Sequence, residues 1–131
     1  MKNSINNIKN SLLIMGTLLL INCVTKAQSG NYFAGDAGTS NSGSNNTAVC
    51  NPALKSSNSG SFNSSFGRDA MYFNTSGYSN TAVGGQALYF NSIWHDNTAT
   101  GAGSLLFNTS GSFNSAFGNS ALYSNIDGYA N

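Results

Sequence analysis

A 17-residue period constrains this 131-residue chain more than any other feature of its sequence. Each copy starts with asparagine, and the spacing continues over five copies without insertion or deletion. The copies are 46–62, 63–79, 80–96, 97–113 and 114–130, and residue 131 is again asparagine. A fixed short period is typical of solenoids, in which each repeat contacts only its neighbours. The period therefore predicts a stack of similar coils.

Equivalent positions of the copies form columns of constant character. The second position is Thr or Ser, the third is small, the fourth is mostly bulky and the fifth is almost always Gly. In the copy 80–96 these residues are Thr81, Ala82, Val83 and Gly84. A small residue, a Leu or Met, aromatic residues and a polar turn then complete each copy.

These columns predict two short strands per copy, at positions two to four and eight to eleven. Neither segment is long enough for a stable helix, and β-branched and aromatic residues favour strands. Along the first strand Thr81 and Val83 share one face and Ala82 points the other way. We expect the face with the bulky Val or Phe column to point inward. The predicted fold class is all-β, a parallel β-solenoid or β-roll whose coils stack at about 4.8 Å.

Asparagine recurs in two columns, the first position and the position occupied by 74, 91, 108 and 125. Stacking places equivalent side chains directly above one another. Because an amide both donates and accepts hydrogen bonds, we expect each column to form a ladder that links successive coils. The repeated asparagine then has a structural explanation that needs no ligand.

Residues 1–27 have the three parts of a signal peptide. Lys2 and Lys9 precede an apolar segment at 12–21, and Thr25-Lys26-Ala27 offers a cleavage site with small residues. We expect a signal-peptide helix here and a secreted or cell-surface protein. Lipid attachment through Cys23 is the alternative, although Asn22 fits a lipoprotein motif poorly. Residues 28–45 form a lead-in with a shortened capping copy that begins at Asn31.

Composition excludes several functions for residues 28–131. Lys55 and Arg68 against four aspartates leave a net charge of −2, so nucleic acid has no basic patch to bind. There is one His and no Glu, and the aspartates do not recur at the period. We therefore predict no catalytic, metal or cofactor site, no small-molecule substrate and no enzyme.

The aromatic column is too bulky to fit inside so thin a coil. Exposed apolar stripes of this size usually mark an interface, and burial around a three-fold axis would make a homotrimer. The predicted interface residues are Met71, Tyr72, Phe73, Leu88, Tyr89, Phe90, Leu105, Phe107, Leu122 and Tyr123.

Two local departures from the repeat remain. The turn that closes the copy 80–96 contains Trp94, His95 and Asp96, which we predict as a weak contact site for a protein or glycan. The alternative is a turn whose sequence has simply drifted. Cys50 takes the Gly position in the first full copy, either as a small apolar residue or as a contact between identical subunits.

The segments 74–78 and 80–91 resemble the "NTAVGxxALxxNTTGxxN" repeats of bacterial surface and phage tail-fibre-like proteins. Those repeats often precede an endosialidase-type intramolecular chaperone domain. They are similar in style to the head repeats of trimeric autotransporter adhesins, which implies a trimeric left-handed β-roll. The resemblance covers residues 46–131, and Cys50 and Pro52 depart from it. We expect the repeat region to be truncated at Asn131, from a longer protein.

The function expected from the sequence is a structural module, an adhesin-like or fibre-like stalk or head, that acts by multivalent contact with a host-surface protein or glycan. The alternative is a monomeric solenoid that binds ice or carbohydrate through a flat repetitive face. The Thr and Ser column at the second position would form such a face. However, the second and fourth positions share one side of the strand, and we expect the Val and Phe residues at the fourth position to point inward.

Overall fold

The computed structural model describes residues 31–34, 37–56 and 59–131, which form a parallel β-solenoid of about five coils. Its strands are β1 (Tyr32–Ala34), β2 (Thr47–Val49), β3 (Ser64–Phe66), β4 (Thr81–Val83), β5 (Thr98–Thr100) and β6 (Ser115–Phe117). The predicted signal peptide at 1–27, with its helix, lies outside the described residues. Within the described ranges, no helix has the length and apolar character needed to cross a membrane.

All six described strands lie in one parallel sheet in chain order. Each pairs with the strand one period away, so that Thr81 lies between Ser64 and Thr98 in the ladder. The first pair has a shorter offset, with Tyr32 opposite Thr47, because the lead-in coil is two residues shorter. The parallel β-solenoid predicted from the period is confirmed.

The predicted second strand of each copy is wrong, because positions eight to eleven form turns. The Leu or Met in each turn has a left-handed backbone, with φ of 52° at Leu88 and 50° at Met71. This conformation is costly for residues other than glycine. In the first four full coils these side chains are fully buried, so burial in the coil holds them there, whereas Leu122 in the last coil is 39% exposed.

The predicted inward face of the first strand is also wrong. Ala82 has no exposed surface, whereas its neighbour Val83 is 40% exposed. The alternation of side chains between the two faces was predicted correctly. Which face points inward is set by the first asparagine of the copy, whose side chain lies inside the coil. Since successive side chains alternate, the third position also points inward and the second and fourth point outward.

The interior of a coil therefore contains Asn, Ala, Ala, Leu and Asn. In the central coil these are Asn80, Ala82, Ala87, Leu88 and Asn91, and all are fully buried. Leu fills the centre, and only small side chains fit opposite it. Bulky Val and Phe residues at the fourth position are left outside.

The two predicted asparagine ladders are confirmed. The backbone N–H of Asn97 donates to the Oδ1 of Asn80 at 3.0 Å, and its Nδ2 donates to the Gly111 carbonyl, also at 3.0 Å. In the second ladder the Nδ2 of Asn108 donates to the Oδ1 of Asn91 at 2.9 Å. Amides in a closed interior need such partners, and here the neighbouring coils provide them.

Candidate functional site

The aromatic residues that follow the Leu column form a continuous double stack, the aromatic row (Tyr72, Phe73, Tyr89, Phe90, Phe107 and Tyr123). Phe90 lies between Phe73 and Phe107, with ring centroids 5.4 and 5.1 Å away and nearly parallel planes. Tyr89 stacks on Tyr72 at 5.5 Å. Contacts of this kind contribute about 0.5–1.5 kcal/mol each beyond area burial. The row therefore stabilises the stacking of the coils themselves.

The structure divides the predicted subunit interface into two groups. Met71, Leu88 and Leu105 are fully buried in the coil, so they belong to the core and offer no surface to another chain. Phe73, Phe107, Leu122 and Tyr123 are exposed, and Tyr72, Tyr89 and Phe90 are half-buried. The homotrimer therefore remains a prediction, and its interface is limited to the exposed and half-buried residues.

The structure exposes a second surface, which we call the sheet face. It comprises the outward residues of β2 to β6, namely Thr47, Val49, Ser64, Phe66, Thr81, Val83, Thr98, Thr100, Ser115 and Phe117. The sequence did not predict this surface, because the bulky Val and Phe side chains at the fourth position were expected to be buried. The asparagine column was the available signal, since a buried first position requires an exposed second and fourth.

The most exposed rings of the sheet face have no aromatic partner. Phe66 is 41% and Phe117 is 70% exposed, and Phe62 lies at the corner just before β3. In the described part of the chain no other ring stacks on these three. Their faces are available to a partner, unlike those of the aromatic row.

Trp94 has a structural explanation within the stack. Its carbonyl accepts hydrogen bonds from the Nδ2 atoms of Asn80 and Asn91, as glycine carbonyls do in the other coils. Its indole N–H donates to the carbonyl of Thr109. In the preceding coil the backbone N–H of Ser76 donates to the equivalent carbonyl of Ser92. The indole thus provides a coil-to-coil hydrogen bond at this irregular turn.

His95 and Asp96 form a pair on the same turn, with Nδ1 and Oδ2 2.9 Å apart. The imidazole stacks on Tyr78 with centroids 4.5 Å apart and lies edge-on to Phe113. Ser112 is close by, but its buried hydroxyl accepts from the backbone N–H of His95. A nucleophilic triad needs a serine hydroxyl that contacts the imidazole and reaches substrate, so these residues do not form one.

The remaining polar side chains of the described residues form no cluster of metal-ligating groups. Within residues 31–34, 37–56 and 59–131, no three His, Cys, Asp or Glu side chains lie close enough to hold a metal ion. Cys50 is an exposed free thiol with φ of 85°. Arg68 pairs with Asp69 at 3.3 Å, and such exposed pairs contribute little to stability. Burial, with smaller effects from Asp69 and Tyr72, raises the pKa of Tyr89.

No protein-family model, curated protein or solved structure matches this chain.

Proposed function

We propose that this chain is a structural repeat module, secreted or displayed on the cell surface, that acts by multivalent contact and carries out no catalysis. The observation that supports it most is the register of the sheet. Every full coil presents the same two outward positions, one strand spacing from the last. A surface that repeats in this way suits a partner with many equivalent groups, because linked weak contacts add up to strong binding.

The proposed partner is a host-surface protein or a glycan. The sheet face offers hydroxyl groups at Thr81 and Thr98 beside apolar groups at Val83 and Phe66. Mixed surfaces of this kind can both hydrogen-bond and exclude water at a contact. The signal-peptide pattern at 1–27 supports export, and a homotrimer would multiply the number of faces.

Density-dependent binding tests this proposal. The purified chain would be coupled to beads at high and low density, and the beads applied to cells and to glycan arrays. We expect binding only at high density, reduced by Thr98→Lys on the sheet face. Thr75→Lys, at an exposed turn position, is the control and should bind normally. Equal binding by isolated chains, or none at any density, would contradict multivalent contact.

A second candidate is a monomeric solenoid that binds ice or carbohydrate through a flat face. The specific observation in its favour is that the Thr and Ser column points outward, contrary to expectation. Strands β4 and β5 place Thr81, Val83, Thr98 and Thr100 side by side in a small level patch. Phe66 and Phe117 border this patch and limit its width.

Thermal hysteresis and ice-crystal shaping by the purified chain would test the second candidate. We expect neither if the chain works by multivalent contact with a protein or glycan. Hysteresis that disappears with Thr98→Lys and persists with Thr75→Lys would establish the ice-binding alternative. Light scattering on the same samples would show whether the active species is a monomer.

A further inference from the structure

The sheet face has a longer period than the coil. The segment Ser61–Gly67 recurs three coils later as Ser112–Gly118, with a difference only at Ser65, where the later segment has Ala116. Each segment contains a phenylalanine before its strand and another at the fourth position. The intervening strands have Thr at the second position and Val or Thr at the fourth. The face is therefore corrugated.

The corrugation consists of two ridges and a trough. Phe66 on β3 and Phe117 on β6 are the largest side chains of the sheet face, and they are 41% and 70% exposed. Between them the outward side chains of β4 and β5 are only Thr and Val. Three strand spacings separate the ridges, or about 14 Å. The trough is wide enough to accept one further ridge of phenylalanine.

We infer that two copies of this chain associate through their sheet faces, with the solenoid axes antiparallel, so that the Phe66 ridge of each copy fills the trough of the other. A two-fold axis parallel to the strands brings identical columns face to face and reverses the order of the strands. Phe66 then lies between Val83 and Thr100 of the second copy. The Phe117 ridge lies at the same time against Val49 of that copy.

The parallel alternative fails on the same geometry. A two-fold axis along the solenoid would place each strand opposite itself, so that the strand carrying Phe66 would face the same strand of the other copy and the troughs would stay empty. Charge also favours a second copy as the occupant, because the second and fourth columns contain no charged residue. Two such faces meet without the repulsion that opposed like charges would cause. The inference does not depend on the proposed function, and the two compete for the same face, because a dimer would cover the sheet face that a host-surface partner would bind.

The size of the face indicates how strong this association is. Five strands, each about 4.8 Å wide along the axis, and four residues across them give a footprint of about 300 Å² per copy. The total is below the roughly 1,200 Å² of standard stable interfaces. We therefore expect a weak dimer that forms mainly toward the upper end of the micromolar concentration range.

Sedimentation velocity over a concentration range, from about 5 to about 500 μM, tests the dimer. The test variant is Phe66→Thr with Phe117→Thr, since Thr100 already occupies this column. The matched control is Phe73→Ser with Phe107→Ser in the aromatic row, where Ser56 occupies the column. We expect the first pair to weaken dimerisation about tenfold or more and the second pair to leave it nearly unchanged.

Cysteine cross-linking with a bis-maleimide reagent tests the antiparallel register independently of affinity. In a Cys50→Gly background, Val83→Cys lies within half a strand spacing of its own equivalent across the two-fold axis, about 2.4 Å along the solenoid. Val49→Cys lies about 17 Å from its equivalent by the same spacing. Because facing sheets lie about 10 Å apart, too far for a disulfide, we expect a bis-maleimide with a reach of about 10 Å to cross-link the first variant and not the second.

A circular dichroism spectrum and melting temperature close to those of the parent chain would show that each variant folds. Three results would overturn the inference. The first is a monomer at every concentration, and the second is equal cross-linking by both cysteine variants. The third is an assembly, trimeric or otherwise, that survives loss of Phe66 and Phe117 and disappears with loss of Phe73 and Phe107.

Discussion

The backbone N–H of Asn97 donates to the side-chain oxygen of Asn80, one coil earlier, at 3.0 Å. The same oxygen also accepts from the Nδ2 of Asn97 at 3.2 Å. Asn114 repeats both contacts with Asn97 one coil later. A single side chain thus connects three successive coils, and it does so inside the stack where water cannot replace it.

Asn97→Ala should therefore be strongly destabilising. It removes the acceptor of the Asn114 N–H, which is left buried without a partner, and one of the two donors to the Gly111 carbonyl, which keeps the Nδ2 of Asn108. We expect a loss of about 3 kcal/mol or more in the free energy of unfolding, measured by urea denaturation. Asn131→Ala, in the same column but exposed, should cost below about 0.5 kcal/mol. Equal losses would show that the ladder contributes little.

Among the four glycines of the fifth column, only the one in the last coil should tolerate a methyl group. A Cβ at Gly84 would lie 2.6 Å from the backbone of Gly101, whereas a Cβ at Gly118 would meet nothing within 4 Å. Both residues have positive φ, at 133° and 120°, so conformational strain is similar in the two variants. We expect Gly118→Ala to cost about 1 kcal/mol and Gly84→Ala at least about 2 kcal/mol more. Thermal melts of the two variants would measure the difference.

Leu88→Ala should open a cavity at the centre of the coil. Leu88 is fully buried, and Leu122, with nearly the same φ, is 39% exposed in the last coil. Because both substitutions place Ala in the left-handed conformation, backbone strain cancels in the comparison. We expect losses of about 2–5 kcal/mol for Leu88→Ala and below about 1 kcal/mol for Leu122→Ala. Similar values in chemical denaturation would contradict a Leu-centred core.

Trp94→Phe keeps an aromatic ring at the irregular turn and removes the indole N–H that Thr109 accepts. We expect a loss of about 1 kcal/mol, since one hydrogen bond between coils is lost. Trp94→Gly restores the residue of the other copies. It should destabilise the fold less than Trp94→Phe, because a backbone N–H can then donate to the Thr109 carbonyl. Hydrogen exchange at residues 91–97 would report the change locally. A larger loss for Trp94→Gly would show that the indole ring, and not its N–H, matters.

Ionisation of the Tyr89 phenol should contribute to the loss of folding stability at alkaline pH. Burial, then Asp69 and Tyr72, raises the pKa of this phenol above its ordinary value of 10.0. A raised pKa in the folded state stabilises the fold below pH 10, and this stabilisation disappears as pH rises through the folded-state pKa. We expect Tyr89→Phe to flatten the fall in melting temperature between about pH 9 and 11. Tyr123→Phe controls for loss of a phenol, and equal flattening there would contradict this role for Tyr89.

The sequence alone determined the period, and with it the parallel, in-register stacking of coils. Equivalent residues must lie above one another in any stack with a constant repeat length, so the asparagine ladders from Asn46 to Asn131 followed directly. The alternation of Thr81, Ala82 and Val83 was also readable, because it depends only on the geometry of an extended backbone. The period did not show which face of this strand points toward the core.

The tertiary structure decided that phase, because it depends on which side chains fill the interior together. Leu88 enters the coil from a turn in the left-handed conformation, which strand propensity did not predict, and it occupies the volume that Val83 would otherwise need. The third column must then be small, and the first must point inward to make its hydrogen bonds. This packing turns Phe66, Thr81 and Phe117 outward and creates the sheet face.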